Sequence, residues 1–187
     1  MNIRSRRFTF GIVASSLVAL LAVVFFAGST LAADEPLTSE QKQRIQANCQ
    51  SIKSTLNQLH VSDALLRVNR GQFYESLAGK LMDRFNGRLA ANDIDAKSMV
   101  AITGSYRTAL NTFRTDYQVY EHQLADALAI DCTKEAQAFH DSVEEARTKR
   151  SKVHQDVLRL NEYISDYKLA VNTFAESYGE VSTGDAE

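Results

Sequence analysis

A single proline in 187 residues leaves the chain with little that would break a helix, and tryptophan is absent altogether. A proline inside a helix removes a backbone donor and clashes with the preceding turn, so its scarcity permits helices far longer than the usual dozen residues. Cysteine is limited to Cys49 and Cys132, which excludes a disulfide-dense scaffold and a four-cysteine metal site. Neither sign of charge dominates, the formal balance being -2. Removing Arg4, Arg6 and Arg7 of the first segment from 21 basic residues leaves 18 against 23 acidic, a balance of -5 for the remainder. A mildly acidic body argues against nucleic acid, which is held by clustered Lys and Arg. Also missing are the Gly-x-Ser-x-Gly elbow, a Walker-type phosphate loop and a Gly-x-Gly-x-x-Gly turn. No catalytic constellation is indicated, and the chain is expected not to be an enzyme and to carry no cofactor.

What is present is a set of long apolar seams. Ala136, Phe139, Val143, Ala146, Val153, Val157, Leu160, Ile164, Tyr167, Val171, Phe174 and Tyr178 recur at steps of three and four, with Arg150 as the one interruption. Such spacing puts them on one stripe of a helix, the a and d positions of a heptad. A second seam runs Tyr106, Leu110, Phe113, Tyr117, Tyr120, Leu124, Ala127. A third begins strictly at Ile45, Cys49, Ile52, Leu56 and Leu59. It then loosens through Asp63, Leu66, Arg70, Phe73 and Leu77 and ends in four-residue steps at Leu81, Phe85 and Leu89. Gly71, Gly79 and Gly87 each cost about 1 kcal/mol relative to alanine in a helix interior, so a bend near Asn69-Arg70-Gly71 is expected. Thr38 or Ser39 is read as the first cap, Asp95 or Ser98 as the second, Asp131 or Thr133 as the third.

These seams predict an all-α fold, an elongated antiparallel three-helix coiled-coil-like bundle over residues 38-178, with helices near 38-92, 96-130 and 133-178 and a rod about 70 Å long. Residues 33-37 read as a linker and 179-187 as a disordered acidic tail. If the first two helices fold back near residue 90 or 91, Cys49 and Cys132 fall at one height, which predicts a disulfide in an oxidising compartment. The same ruler sets Arg150 within about one turn of Asp63, with Arg114 and Asp116 near that height, and predicts an interior Asp63-Arg150 pair that fixes register. His60, His122 and His140 share a height, but His122 is outward, the other two are flanking, and no helix carries a His-x-x-x-His pair, so no metal is expected. Arg147 to Lys152 spreads its cations around the helix. Tyr106, Tyr117, Tyr120, Tyr167 and Tyr178 lie on seams, either as core or as the lining of an opening between helices for an apolar ligand. Gly79 and Gly104 are read either as a close backbone approach or as a weak spot. The three antiparallel heptad helices are similar in architecture to spectrin-type repeats and resemble exported bacterial coiled-coil bundles, which implies architecture alone.

The first segment sets the compartment. Arg4, Arg6 and Arg7 precede an apolar run over 10-27, then Thr30 and Ala32 suit a signal-peptidase site with cleavage before Ala33. Residues 1-32 are read as a signal peptide or, uncleaved, as a signal anchor touching the membrane through 10-27; about 27 Å of helix nearly spans a bilayer. Both readings export the body to a secreted, periplasmic or membrane-anchored location. The function expected first is a structural or protein-interaction role at the cell envelope with a protein partner, oligomers being possible. The alternative is a binding module or chaperone that holds an apolar client or ligand between its helices.

Overall fold

The computed structural model describes residues 36-184, with side chains as far as Tyr178; the expected export segment 1-32 and cleavage site lie outside the described residues. Helix α1 spans Ser39–Ser76, a π-helical turn Leu77–Met82, α2 Asp83–Ala91, α3 Lys97–Ala129 and α4 Ala136–Gly184. No strand occurs among the described residues. Leu77, Met82 and Asp83 all keep right-handed helical dihedrals, so α1, the π turn and α2 form one continuous arm. With α3 and α4 this arm makes the all-helical three-helix bundle that the seams predict.

Local chemistry sets the helix ends. Thr38 and Gln41 form a capping box, the Thr38 hydroxyl accepting from Gln41 N at 3.2 Å and the Gln41 side chain accepting from Thr38 N at 2.7 Å. The α2–α3 turn is a Schellman motif in which Ile94 N donates to Leu89 O at 3.0 Å and Asp93 N to Ala90 O at 3.2 Å. Asp93 occupies the left-handed position at φ 56°, where glycine is usual. Asp95 then accepts from Lys97 N at 3.0 Å. Asp131 accepts from Thr133 N at 3.1 Å and organises a turn of its own, so α4 starts at Ala136 and not at Thr133. At the far end α4 continues to Gly184 instead of stopping at Tyr178. Residues 180-183 contain no proline, and the helix passes through Gly179, so the tail expected to be disordered is helical as far as Gly184.

The α3 seam is buried at all seven positions: Tyr106, Leu110, Phe113, Tyr117, Tyr120, Leu124 and Ala127. Helices α3 and α4 form the most extensive pairing of the bundle, and small Ala109 of α3 and Ala136 and Ala146 of α4 are buried. The α4 seam is buried or half-buried from Ala136 to Phe174, while Tyr178 is exposed.

Helix α1 departs from its predicted seam. Leu66 and Phe73 are 49% and 56% exposed, whereas Tyr74, Ala78, Met82, Asn86 and Leu89 are buried. After Asp63 the inward face advances by eleven residues to Tyr74, a stutter in the heptad that turns Leu66, Arg70 and Phe73 away from the core. From Tyr74 to Asn86 the chain advances twelve residues, which in uninterrupted α-helix would set them about 120° apart. The π turn absorbs one residue, closed by Asp83 N donating to Ala78 O, and returns the two to within about 20°. The irregularity thus lies at 77-82 and not at Gly71, where α1 is unbroken.

Buried hydroxyls support this unusual turn. Tyr106 donates to Tyr74 O at 3.0 Å and Tyr167 to Met82 O at 3.3 Å, one carbonyl before the π segment and one on its last residue. The Tyr167 hydroxyl also lies 2.9 Å from Asn86 Oδ1, and Asn86 Nδ2 donates to Thr103 Oγ1 at 2.9 Å, linking all three layers. A methyl group at Gly79 or Gly104 would meet nothing within 4 Å, so no close backbone approach occurs there.

Candidate functional site

The stutter leaves a gap. Where α1 turns Leu66 and Arg70 outward, a cleft of about 400 Å³ opens between α1 and α4, floored by α3. Phe113, Tyr117 and Tyr120 come from α3, and Val153, Val157 and Leu158 from α4. Leu66 and Leu158, 49% and 56% exposed, contribute apolar surface from α1 and α4. The size lies within the range of small-molecule sites.

One end of the cleft is closed by the Asp63-Arg150 pair. Arg150 Nε donates to Asp63 Oδ2 at 2.7 Å and Nη2 to Oδ1 at 3.1 Å, while the Tyr120 hydroxyl donates to the same Oδ2 at 2.7 Å. Burial pushes the Asp63 carboxyl up, but hydrogen bonds from Arg150 and Tyr120 and the arginine charge outweigh it and hold the carboxyl below its ordinary range. Burial and the bond to Asp63 in turn raise the Tyr120 hydroxyl. This one carboxylate of the lining is therefore spent on Arg150. Arg67 and Arg70 make no ion pair among the described residues, and both line the cleft with His154. The Arg67 guanidinium lies 5.1 Å from the centroid of the Tyr117 ring, a cation-π contact that holds it over the floor. Tyr117 is 4% exposed and its hydroxyl has no hydrogen-bond partner among the described residues. The result is a positive, apolar-walled opening in an acidic body.

A second polar cluster sits between α3 and α4. Lys152 Nζ donates to Asp116 Oδ1 at 3.0 Å. Asp156, 8% exposed, is pushed up to about 6 by burial and by the hydrogen bond and negative charge of Asp116, against the opposing charges of Lys152 and Arg159. Asp116 Oδ2 and Asp156 Oδ2 both lack hydrogen-bond partners among the described residues, and a proton on Asp156 supplies the donor that this pair needs.

Other predicted residues fall as follows. Cys49 and Cys132 meet at the distance of a disulfide, Cα atoms 5.6 Å apart. Lys53 Nζ donates to Ile130 O beside them at 3.0 Å. His60 stands 4.0 Å from Glu121 and His140 3.2 Å from Asp141, and no group of three metal-ligating side chains occurs among the described residues. Arg114 pairs with Glu75 at 2.8 Å and not with the interior pair. Sequence reasoning missed Arg67, Arg70 and His154 as companions, because the heptad assigned Arg70 inward and gave Arg67 and His154 no role.

The bundle matches no protein-family model, no curated protein and no solved structure. Among the described residues no helix is long and apolar enough to cross a membrane.

Proposed function

We propose that the protein is an exported, non-enzymatic binding module that holds an apolar ligand or client in the cleft between α1, α3 and α4. The observation that carries this reading is the opening itself. A purely structural bundle gains most from a continuous packed seam, since buried apolar surface contributes about 25 cal/mol per Å². Here the seam is interrupted in mid-bundle, and Leu66, Leu158 and the tyrosine floor border the gap. Export is supported by the basic and apolar first segment and by a cysteine pair poised to bond in an oxidising compartment.

A protein-interaction role has its own observation. Val61, Leu65 and Val68 are 55%, 63% and 50% exposed and lie on one outer stripe of α1, a surface suited to an apolar partner.

The binding reading is tested with an environment-sensitive anilinonaphthalene dye. The expected result is saturable binding at one site, abolished in L66D and L158D while far-ultraviolet circular dichroism is unchanged, because both side chains are about half exposed. Dye binding that is unsaturable, or equal in both variants, would refute it.

A further inference from the structure

We propose that the cleft takes a single-chain anionic amphiphile, its carboxylate or phosphate head on Arg67 and Arg70 and its chain along Leu66, Val153, Val157 and Leu158. This inference rests on the binding reading above and adds the chemistry of the ligand. Two independent features point to an anion. The first is charge: the lining holds Arg67, Arg70 and Arg150 against Asp63 alone, and Asp63 is already bonded to Arg150. A cluster of that sign in a body with a balance of -5 is not explained by composition. The second is Tyr117, which lines the cleft and whose buried hydroxyl has no hydrogen-bond partner among the described residues, a costly state that an acceptor oxygen brought against it on binding would relieve.

The ring of Tyr117 also restrains Arg67, so one guanidinium is held in place before the ligand arrives, which reduces the ordering cost of binding. Guanidinium groups bind carboxylate and phosphate oxygens in a bidentate manner. The apolar walls then select for a chain attached to that head, since free phosphate or acetate would leave Leu66 and Leu158 uncovered. A neutral apolar chain would leave both arginines unmatched.

The test uses the full chain, expressed with its first segment and purified as the cell processes it, in isothermal titration with dodecanoate, dodecyl phosphate, dodecanol and dodecyltrimethylammonium. Dodecanoate or dodecyl phosphate is expected to bind at least about tenfold more tightly than dodecanol, which is the worth of one charge-assisted contact. The tighter of the two tells a carboxylate source from a phosphate source. R67Q/R70Q is expected to weaken the anion about tenfold and leave dodecanol unchanged. Equal binding of dodecanol and both anions, with R67Q/R70Q silent and L158D inactive, overturns the anionic head while the cleft remains a binding site. Absence of binding by all four, with the dye also unbound, removes both readings. A dimer that dodecanoate leaves intact and L158D dissociates assigns the cleft to a second copy and overturns the proposal.

Discussion

Replacing Asp156 by asparagine is expected to make the protein more stable at neutral pH and to erase part of its pH dependence. As a carboxylate, Asp156 is buried against Asp116, and Oδ2 of each lacks a donor. Its proton is held up to about 6, against 3.8 in the unfolded chain. A folded value above the unfolded one means that the native state binds more protons between them, so the contribution is full below about 4 and is lost as pH rises through about 6. At about 1.4 kcal/mol per unit the whole effect is about 3 kcal/mol, and about 1.4 kcal/mol of it arises between pH 8 and pH 5. Asparagine supplies a donor for Asp116 at every pH and carries no charge. The assay is urea unfolding of wild type and D156N at pH 5, 6, 7 and 8. D156N should exceed wild type by about 2 to 3 kcal/mol at pH 8, and the gap should narrow by about half at pH 5. In thermal melts the narrowing corresponds to about 3 to 6 °C. Asp63, whose folded value is lowered, loses its contribution only below its unfolded value of 3.8 and does not interfere in this window. A gap that stays constant from pH 8 to pH 5 would refute the account of a proton held on Asp156.

The Cys49-Cys132 bond closes a loop with a sequence separation of 83, so reduction or C49S should lower the unfolding free energy by about 4 to 5 kcal/mol in the chain-entropy model. Urea curves with and without dithiothreitol measure this; a change below about 1 kcal/mol would show that the unfolded chain is not being constrained. R150A should cost about 1 to 3 kcal/mol by leaving the Asp63 carboxylate buried with only Tyr120, the lower part of the range reflecting an arginine side chain that is 50% exposed. A double-mutant cycle with D63N isolates the pair, and a coupling near zero would rule out a register-fixing role. D93G relieves a left-handed backbone held by a non-glycine residue and should stabilise by about 0.5 to 1 kcal/mol; a loss of stability would mean that the Asp93 side chain has a role of its own.

Much of this fold is legible in the pattern of apolar residues. The α3 seam from Tyr106 to Ala127 is buried at every position because a 33-residue α-helix with no glycine in that stretch keeps its phase. Counting helical rise from the turn sets Cys49 level with Cys132, and counting on from that pair sets Arg150 near Asp63. Leu66, Arg70 and Phe73 were misplaced for one reason: a stutter and a stored residue change the phase without any proline to announce them. The four-residue steps through Leu81, Phe85 and Leu89 were the trace of that change, although Leu81 itself points outward at 52% exposure. The cleft follows from the same slip, so its arginines were out of reach of any reading that kept the heptad. Asp156 was invisible for a different reason, since its meaning depends on Asp116 across a helix pair.

The residue stored between Leu77 and Met82 also determines where the gene can change in length. Deleting one codon inside that six-residue window lets a plain α-helix run from Ser39 to Ala91, with Asn86 and Leu89 still facing Thr103 and the core. The same deletion between Asp63 and Tyr74 rotates everything after it by about 100° and takes that polar contact apart. Length variation should accordingly be tolerated in one short window of this arm and rejected on either side of it.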